Sequence, residues 1–497
     1  MSDLLASAGV LVAAGAAATA ILLPPGRLRA TAMLAALALF PVLILGDQWD
    51  SRQIADLRDD TARFASFGYL AAIGALLLAA IFDRWPFAMP LAIVAALPFR
   101  VPIESGGDTA NLLVPLYLVI AGAAIATVVK DWRGWSAEPL ATVGVARWLP
   151  RVLAAVVVLY ALQTLYSPDF SKSLQNVCFF FVPFSLVYAL LRDVRWDREL
   201  LTWALGVVAI EAVAFVAIGS VEWVTRNLIW NDLVMRSNEF HTYFRVNSVF
   251  WDPNVYGRYL ALVAVLAMAV LLWTRERRTS ALLTALIAVL WIGLVPTFSQ
   301  SSYAALLGGL AVLAALKWSW RWTAATAAIG VAAGVLVITL VGGSDKINFD
   351  RINIDTSGRA NLVSGGLRLS AERPIYGYGS GSFPKAYREH VKSRKVPVSV
   401  SHTEPITVAA EQGIIGFAAY IALIVIALWT MARGLAWNAS PATGPAGYVV
   451  RVAVLAAFVA LLVHTMAYAG FYEDPITWVL LAVGASLAAA PAVRKDP

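Results

Sequence analysis

Cysteine, charge and histidine are what this sequence has least of. There is one cysteine in 497 residues, four histidines, and only 14% Asp, Glu, Lys and Arg together. The lone thiol, Cys178, sits in an apolar stretch, which excludes an intrachain disulfide and a cysteine-based metal site. So little charge excludes a soluble globular enzyme, where about 25% of residues are charged, and equally a disordered or fibrous chain. No internal repeat or low-complexity tract is evident. What is present is apolar: 60% of residues are hydrophobic and the mean hydropathy is +0.72. The net charge of +7 reads first as loops facing anionic lipid and implies no nucleic acid partner.

Apolar runs bounded by charges or turn residues lie at 4–23, 31–46, 67–82, 86–98, 111–129, 150–165, 178–191, 200–219, 257–273, 281–296, 302–316, 323–342, 413–431, 450–469 and 475–491. Several are shorter than the roughly 17–25 residues a membrane helix needs, so the expectation is an all-α polytopic bundle of 13 to 15 spans. The first run follows Asp3 with no Lys or Arg before it, and reads as a retained helix, not a signal peptide. Four regions follow: N-terminal spans over 1–149, further spans over 150–342, one large polar loop over 343–412, and C-terminal spans over 413–497. With the N-terminus outside, the inner loops hold 17 Lys and Arg against 8 in the short outer loops, so the positive-inside rule places the C-terminus inside. The large loop then faces outward, where its length exempts it from that rule. Between Asp345 and Lys395 it carries ten cations against five acids. Loops this long are usually functional or disordered, and its apolar and aromatic residues argue for packing on the membrane surface.

Four segments carry candidate chemistry. Arg245 and Arg258 bracket the turn Asp252-Pro253-Asn254; an ordinary helix cap explains the turn as well as a site does. Arginine at an outer rim also suits a lipid-linked diphosphate, since guanidinium pairs bidentately with phosphate oxygens. The stretch Thr297–Ser301, with Gln300, lies at an outer helix end. Ser357-Gly358-Arg359 precedes a glycine-rich run, Gly377–Gly381, which lacks the strand–turn–helix context of a nucleotide loop and reads as a flexible turn. His402, with Glu404 two residues on, follows the basic loop; the other histidines are His241, His390 and His464. Neighbouring arginines lower an imidazole's pKa and keep it neutral, ready to take a proton from a sugar hydroxyl. Glu211, inside an apolar run, is either a functional acid or a packed one.

In order and spacing these segments, with Glu411–Gly416 after them, resemble the O-antigen ligase and O-antigen polymerase superfamily over roughly residues 150–490. The resemblance implies a metal-independent inverting glycosyltransferase without cofactor, on the outer face of the bacterial cytoplasmic membrane. Its donor would be an undecaprenyl-diphosphate-linked glycan and its acceptor a glycan or glycolipid. Arg245 and His402 match the family's diphosphate-holding arginine and its activating histidine, and Glu404 is expected to orient the imidazole. Arg258, Arg359, Gln300, Arg388, Lys392, Arg394 and Lys395 are the expected substrate-binding residues. One departure stands out: where family ligases commonly carry arginine after the serine, this chain has Gln300, so charge must come from Arg359 or another loop cation. Two other classes compete. One is a polyprenyl-monophosphate-sugar transferase using Asp59 and Asp60 in the first outer loop, and the other is a transporter. The acids of that loop are nearly balanced by arginines, and no repeated halves support transport.

Overall fold

The computed structural model describes residues 3–49, 52–105, 108–135, 140, 144–229, 232–240, 243–328, 359–390, 400–435 and 447–489. Among these residues, eleven helices are long and apolar enough to cross a membrane. Two further apolar helices, Gln300–Lys317 and Pro475–Ala488, pack within the bundle. The expected run at 86–98 gives only the nine-residue helix Ala88–Ala96, about 14 Å long and too short to cross. The run at 323–342 lies largely outside the described residues. One departure from an all-α chain is a short antiparallel hairpin, Val101–Ser105 paired with Asp108–Leu112.

Burial orders the helices. Phe170–Leu191 is 83% buried and Pro253–Trp273 67%, whereas Phe64–Arg84 is 11% buried and exposes Phe67, Leu70, Ile73, Leu76 and Leu77. An exposed apolar face of this size suits lipid and not water. Within Phe170–Leu191 a π-helical turn, Val177–Phe181, precedes Pro183. Proline brings no N–H, and the wider turn takes up the register change. Glu211 is the packed kind of intramembrane acid: it accepts the Tyr259 hydroxyl at 2.8 Å.

Connecting segments collect at two ends. At one end Arg29 bridges Asp131 (3.0 Å) and Asp193 (2.5 Å), tying two helices to the turn after Val182–Leu191, and Lys130 lies 3.5 Å from Asp83. At the other end lie 166–169, 243–252, 298–299, 401–403 and 466–474, joined by the contacts described below. There, the described part of the large loop folds into the helices Arg359–Glu372 and Phe383–His390. Leu362, Leu369, Tyr378, Phe383, Ala386 and Tyr387 form a small core with Ala410, so this segment docks on the helix Glu404–Ala432.

That helix starts nine residues before the apolar run at 413 and is broken where the run begins. Gly413 adopts φ 62°, and a Cβ there would lie 2.4 Å from the carbonyl oxygen of Ile375. Gly377 makes the reciprocal approach to the backbone of Glu411. The N–H groups of Tyr378 and Gly379 donate to the carbonyls of Ala410 and Glu411, and Ile414 N–H donates to Pro374. The glycine-rich run is therefore a packed turn that fills the broken helix's hydrogen bonds, and not the flexible turn its composition suggests.

Candidate active site

Arg245 is built into place by two other segments. Its Nε donates to the Thr297 carbonyl (2.9 Å) and Nη2 to Asn254 Oδ1 (3.2 Å), while its backbone is clasped by the Asn238 amide in both directions. Asn254 Oδ1 also accepts from Ser299 Oγ at 2.9 Å, and Asp252 caps the helix Pro253–Trp273 by accepting Asn254 N–H. Thus the turn Asp252–Asn254 and the segment Thr297–Ser302 aim one guanidinium. Its Nη1 has no partner, and no carboxylate lies within ion-pair distance of it, among the described residues. Burial presses its pKa down, with Asp252 opposing and Arg359 adding to the depression. An arginine stays protonated regardless.

His402 sits in the left-handed region at φ 63°. A β-carbon is costly there, of the order of 1–2 kcal/mol, and such strain concentrates at functional positions. Capping does not explain it. The N-cap of Glu404–Ala432 is Thr403, and Ser401 Oγ bonds the Thr403 carbonyl and Thr407 Oγ1 instead. The half-buried imidazole makes no hydrogen bond among the described residues. Burial first, then the positive charge of Arg359, lower its pKa below the usual histidine value, and Asp252 partly offsets this. The ring is thereby neutral near pH 7 with a nitrogen free to accept a proton.

A tyrosine links these groups. The Tyr468 ring lies 6.4 Å from that of His402 and 5.6 Å from that of His464, and its hydroxyl donates to Asp252 Oδ2 at 3.2 Å. Burial and Asp252 raise its pKa, Arg258 and Arg100 oppose, and the phenol remains a donor. His464, fully buried, meets Ser301 Oγ through Nε2 at 3.2 Å.

The expected residues divide. Arg245, Arg359 and His402 converge: the charge of Arg359 reaches both of the others. Arg359, half-buried at the start of Arg359–Glu372, has no ion-pair partner among the described residues. Gln300 is exposed as the first residue of Gln300–Lys317, and Arg388 is exposed on Phe383–His390. Lys392, Arg394, Lys395 and His241 lie outside the described residues.

Two assignments need correcting. Arg258 is not a rim cation; it is 3% exposed and its Nη2 meets Asp474 Oδ2 at 2.6 Å, a pairing that a buried guanidinium requires. Glu404 does not orient His402: its Oε2 accepts the N–H groups of Gly470 (2.6 Å) and Phe471 (3.1 Å), fastening the 466–474 segment to the helix start. The carboxylate electrostatically coupled to the imidazole is Asp252, 150 positions upstream. The sequence reading gave no role to Tyr468 or Arg100, and named His464 only as one of the other histidines. The spacing of His464 and Tyr468, four apart at the end of an apolar run, is a signal that was available. The rival acids Asp59 and Asp60 are exposed at the end of the helix Arg52–Asp59. Among the described residues no three His, Cys, Asp or Glu side chains are grouped to hold a metal ion.

No curated protein matches the chain. Residues 285–421 match the family model described as O-antigen ligase, a stretch that holds Gln300, Arg359, Arg388, His402 and Glu404 and begins downstream of Arg245. This match supports a place in the O-antigen ligase superfamily for that segment of the chain.

Proposed function

We propose that this multi-pass membrane protein transfers a glycan from a polyprenyl diphosphate carrier to an acceptor hydroxyl, at the outward end of its bundle. The family match supports ligase- or polymerase-type activity in general terms. What supports the finer reading is that Arg245 and Arg359, which lack a carboxylate ion-pair partner among the described residues, interact electrostatically with each other, and Arg359 with a histidine in a strained backbone.

The chemistry follows from those groups. The acceptor oxygen attacks the anomeric carbon from the face opposite the diphosphate, so the configuration inverts. Its proton passes to the free nitrogen of His402, and the anomeric C–O bond breaks with its electron pair staying on the diphosphate. The charge that develops there is met by the Nη1 edge of Arg245, already oriented by Thr297 and Asn254, and by Arg359. Diphosphate is a good leaving group, so positioning and charge stabilisation supply much of the barrier reduction. Asp252 stabilises the imidazolium as it forms, and the phenol of Tyr468 keeps that carboxylate in place.

The exposed Arg388, together with Lys392, Arg394 and Lys395, would recruit the anionic donor. Neutralising them should raise the apparent donor KM and weaken its salt dependence. The test of the whole reading is turnover of an undecaprenyl-diphosphate glycan by the purified chain in EDTA. Turnover without added metal is expected. Turnover only with added divalent metal would favour the monophosphate-sugar class, and none under any condition would favour transport.

A further inference from the structure

The polar residues behind Arg245 form a line of hydrogen bonds that leads into the bundle. Arg245 Nη2 donates to Asn254 Oδ1 at 3.2 Å, and Ser299 Oγ donates to the same oxygen at 2.9 Å. Ser301 Oγ lies 3.1 Å from Ser299 Oγ and 3.2 Å from His464 Nε2. Asn254, Ser299, Ser301 and His464 are all buried. The close approach is built into the helices. A Cβ at Gly257 would lie 2.6 Å from Ser302 Oγ, so Pro253–Trp273 meets the start of Gln300–Lys317 directly. The helix Gly447–Thr465 packs against both and brings His464 to Ser301.

The direction of each bond is fixed from the arginine outward. A guanidinium only donates, so the Asn254 atom facing it is the oxygen. Ser299 gives its single hydroxyl proton to that oxygen. Ser301 must therefore donate to Ser299, and its own oxygen is left to accept from His464. The imidazole thus carries its proton on Nε2 and stands at the head of the line. Helix capping explains only part of this arrangement. Ser299 caps Gln300–Lys317 by accepting the Ser302 N–H, and Ser302 Oγ reaches the Asn254 carbonyl at 3.3 Å. Ser301 does neither: its hydroxyl meets Ser299 and His464 alone among the described residues. A leucine at position 464 would pack in this apolar helix without the cost of burying a polar ring, so the use of the imidazole lies in the bond it donates.

We propose that His464 is a positioning residue, which holds the Arg245 guanidinium on target through Ser301, Ser299 and Asn254. The inference rests on the functional reading above, in which Arg245 meets the diphosphate. A side chain aimed by such a supporting shell works less well when any link is cut. The test is titration calorimetry of the full purified chain in detergent with inorganic pyrophosphate, run beside turnover of the lipid-linked glycan. Ser301→Ala and His464→Asn should each weaken pyrophosphate binding about tenfold. His464→Gln should bind like the unaltered chain, because the glutamine amide nitrogen reaches the place of Nε2 and that of asparagine does not. The two variants carry the same amide, so a merely structural need for a polar group would not separate them. In the Arg245→Ala background neither loss should add to that of Arg245→Ala itself, as expected of links in one line. Equal binding by the Asn and Gln variants, unaltered binding in Ser301→Ala, or losses that add to Arg245→Ala would overturn the proposal. Ser301→Ala removes one oxygen and remains informative where His464→Asn fails to fold. The two readings fail separately. Coupling of His464 to Arg245 in a chain that turns over no lipid-linked glycan would sink the transfer reading alone. Turnover that depends on Arg245 but not on Ser301 or His464 would sink the positioning role alone.

Discussion

The two ends of the bundle treat their cations oppositely. At one end, buried Arg29 is matched by Asp131 and Asp193, Lys130 by Asp83, and Arg192 donates to the carbonyls of Ile21 and Leu23. At the other, Arg245 is held only by a carbonyl and an amide oxygen, and Arg359 has no ion-pair partner among the described residues. Desolvated charge is costly when unmatched, and the buried Arg29 meets two carboxylates at its end, whereas Arg245 meets none among the described residues. On the proposed function, the difference separates cations that hold helices together from cations that wait for an anion. The distinction also runs inside the site end, where Arg258 pairs with Asp474 and Arg245, thirteen positions earlier, does not.

The comparison breaks first at Arg245. Arg245→Ala should lower turnover by about 10²–10³-fold, the scale of losing one preorganised donor to developing charge, with little change in melting temperature. Arg245→Lys should do nearly as badly, because a point charge cannot reproduce a planar fork already bonded on two sides. Full activity of the alanine variant at normal expression would remove Arg245 from the chemistry. Arg258→Met and Arg29→Met should show the opposite pattern. Each leaves a buried carboxylate unpaired, which costs about 3–5 kcal/mol, while the turnover of the molecules that remain folded is retained. Equal loss of activity per folded molecule for Arg258 and Arg245 would erase the distinction.

A sharper test uses pH. The depressed pKa of His402 places the acidic limb of the rate profile below the ordinary histidine value, with activity falling as pH drops through it. Arg359 depresses that pKa, so Arg359→Gln should move the limb to higher pH. Asp252 raises it, so Asp252→Asn should move the limb lower. Shifts in the same direction would show that the two charges do not act on this ring. The smallest expected effect is on stability. His402→Gly relieves the left-handed backbone and should stabilise the chain by about 1 kcal/mol while abolishing proton transfer. A lower melting temperature would mean that the imidazole contributes packing as well.

Much of the fold was legible because a membrane span announces itself in about 20 apolar residues, and the helices from Pro253–Trp273 to Gly447–Thr465 lie over their runs. Where apolar length misled, local chemistry intervened. The run at 86–98 stops at a nine-residue helix, and the run at 413 begins at a glycine kink inside a helix that starts at Glu404. The candidate site was legible as segments but not as contacts. Arginine beside an Asp-Pro-Asn turn and histidine before a helix could be picked out by type. Which arginine turns into the bundle could not, since Arg258 is decided by Asp474, more than 200 positions away. In the same way the nearest carboxylate in sequence, Glu404, is taken by the N–H groups of Gly470 and Phe471, and the carboxylate whose charge reaches the imidazole is Asp252.

The central claim, that His402 takes the acceptor's proton while open arginines hold the diphosphate, is tested most directly by His402→Asn. Asparagine tolerates the left-handed backbone but cannot accept a proton near neutral pH. Donor affinity and single-turnover transfer should be measured on the same purified variant. The account predicts donor binding close to that of the unaltered chain and transfer slower by about 10²–10⁴-fold. Transfer at a near-normal rate would contradict it and leave acceptor activation to some other group.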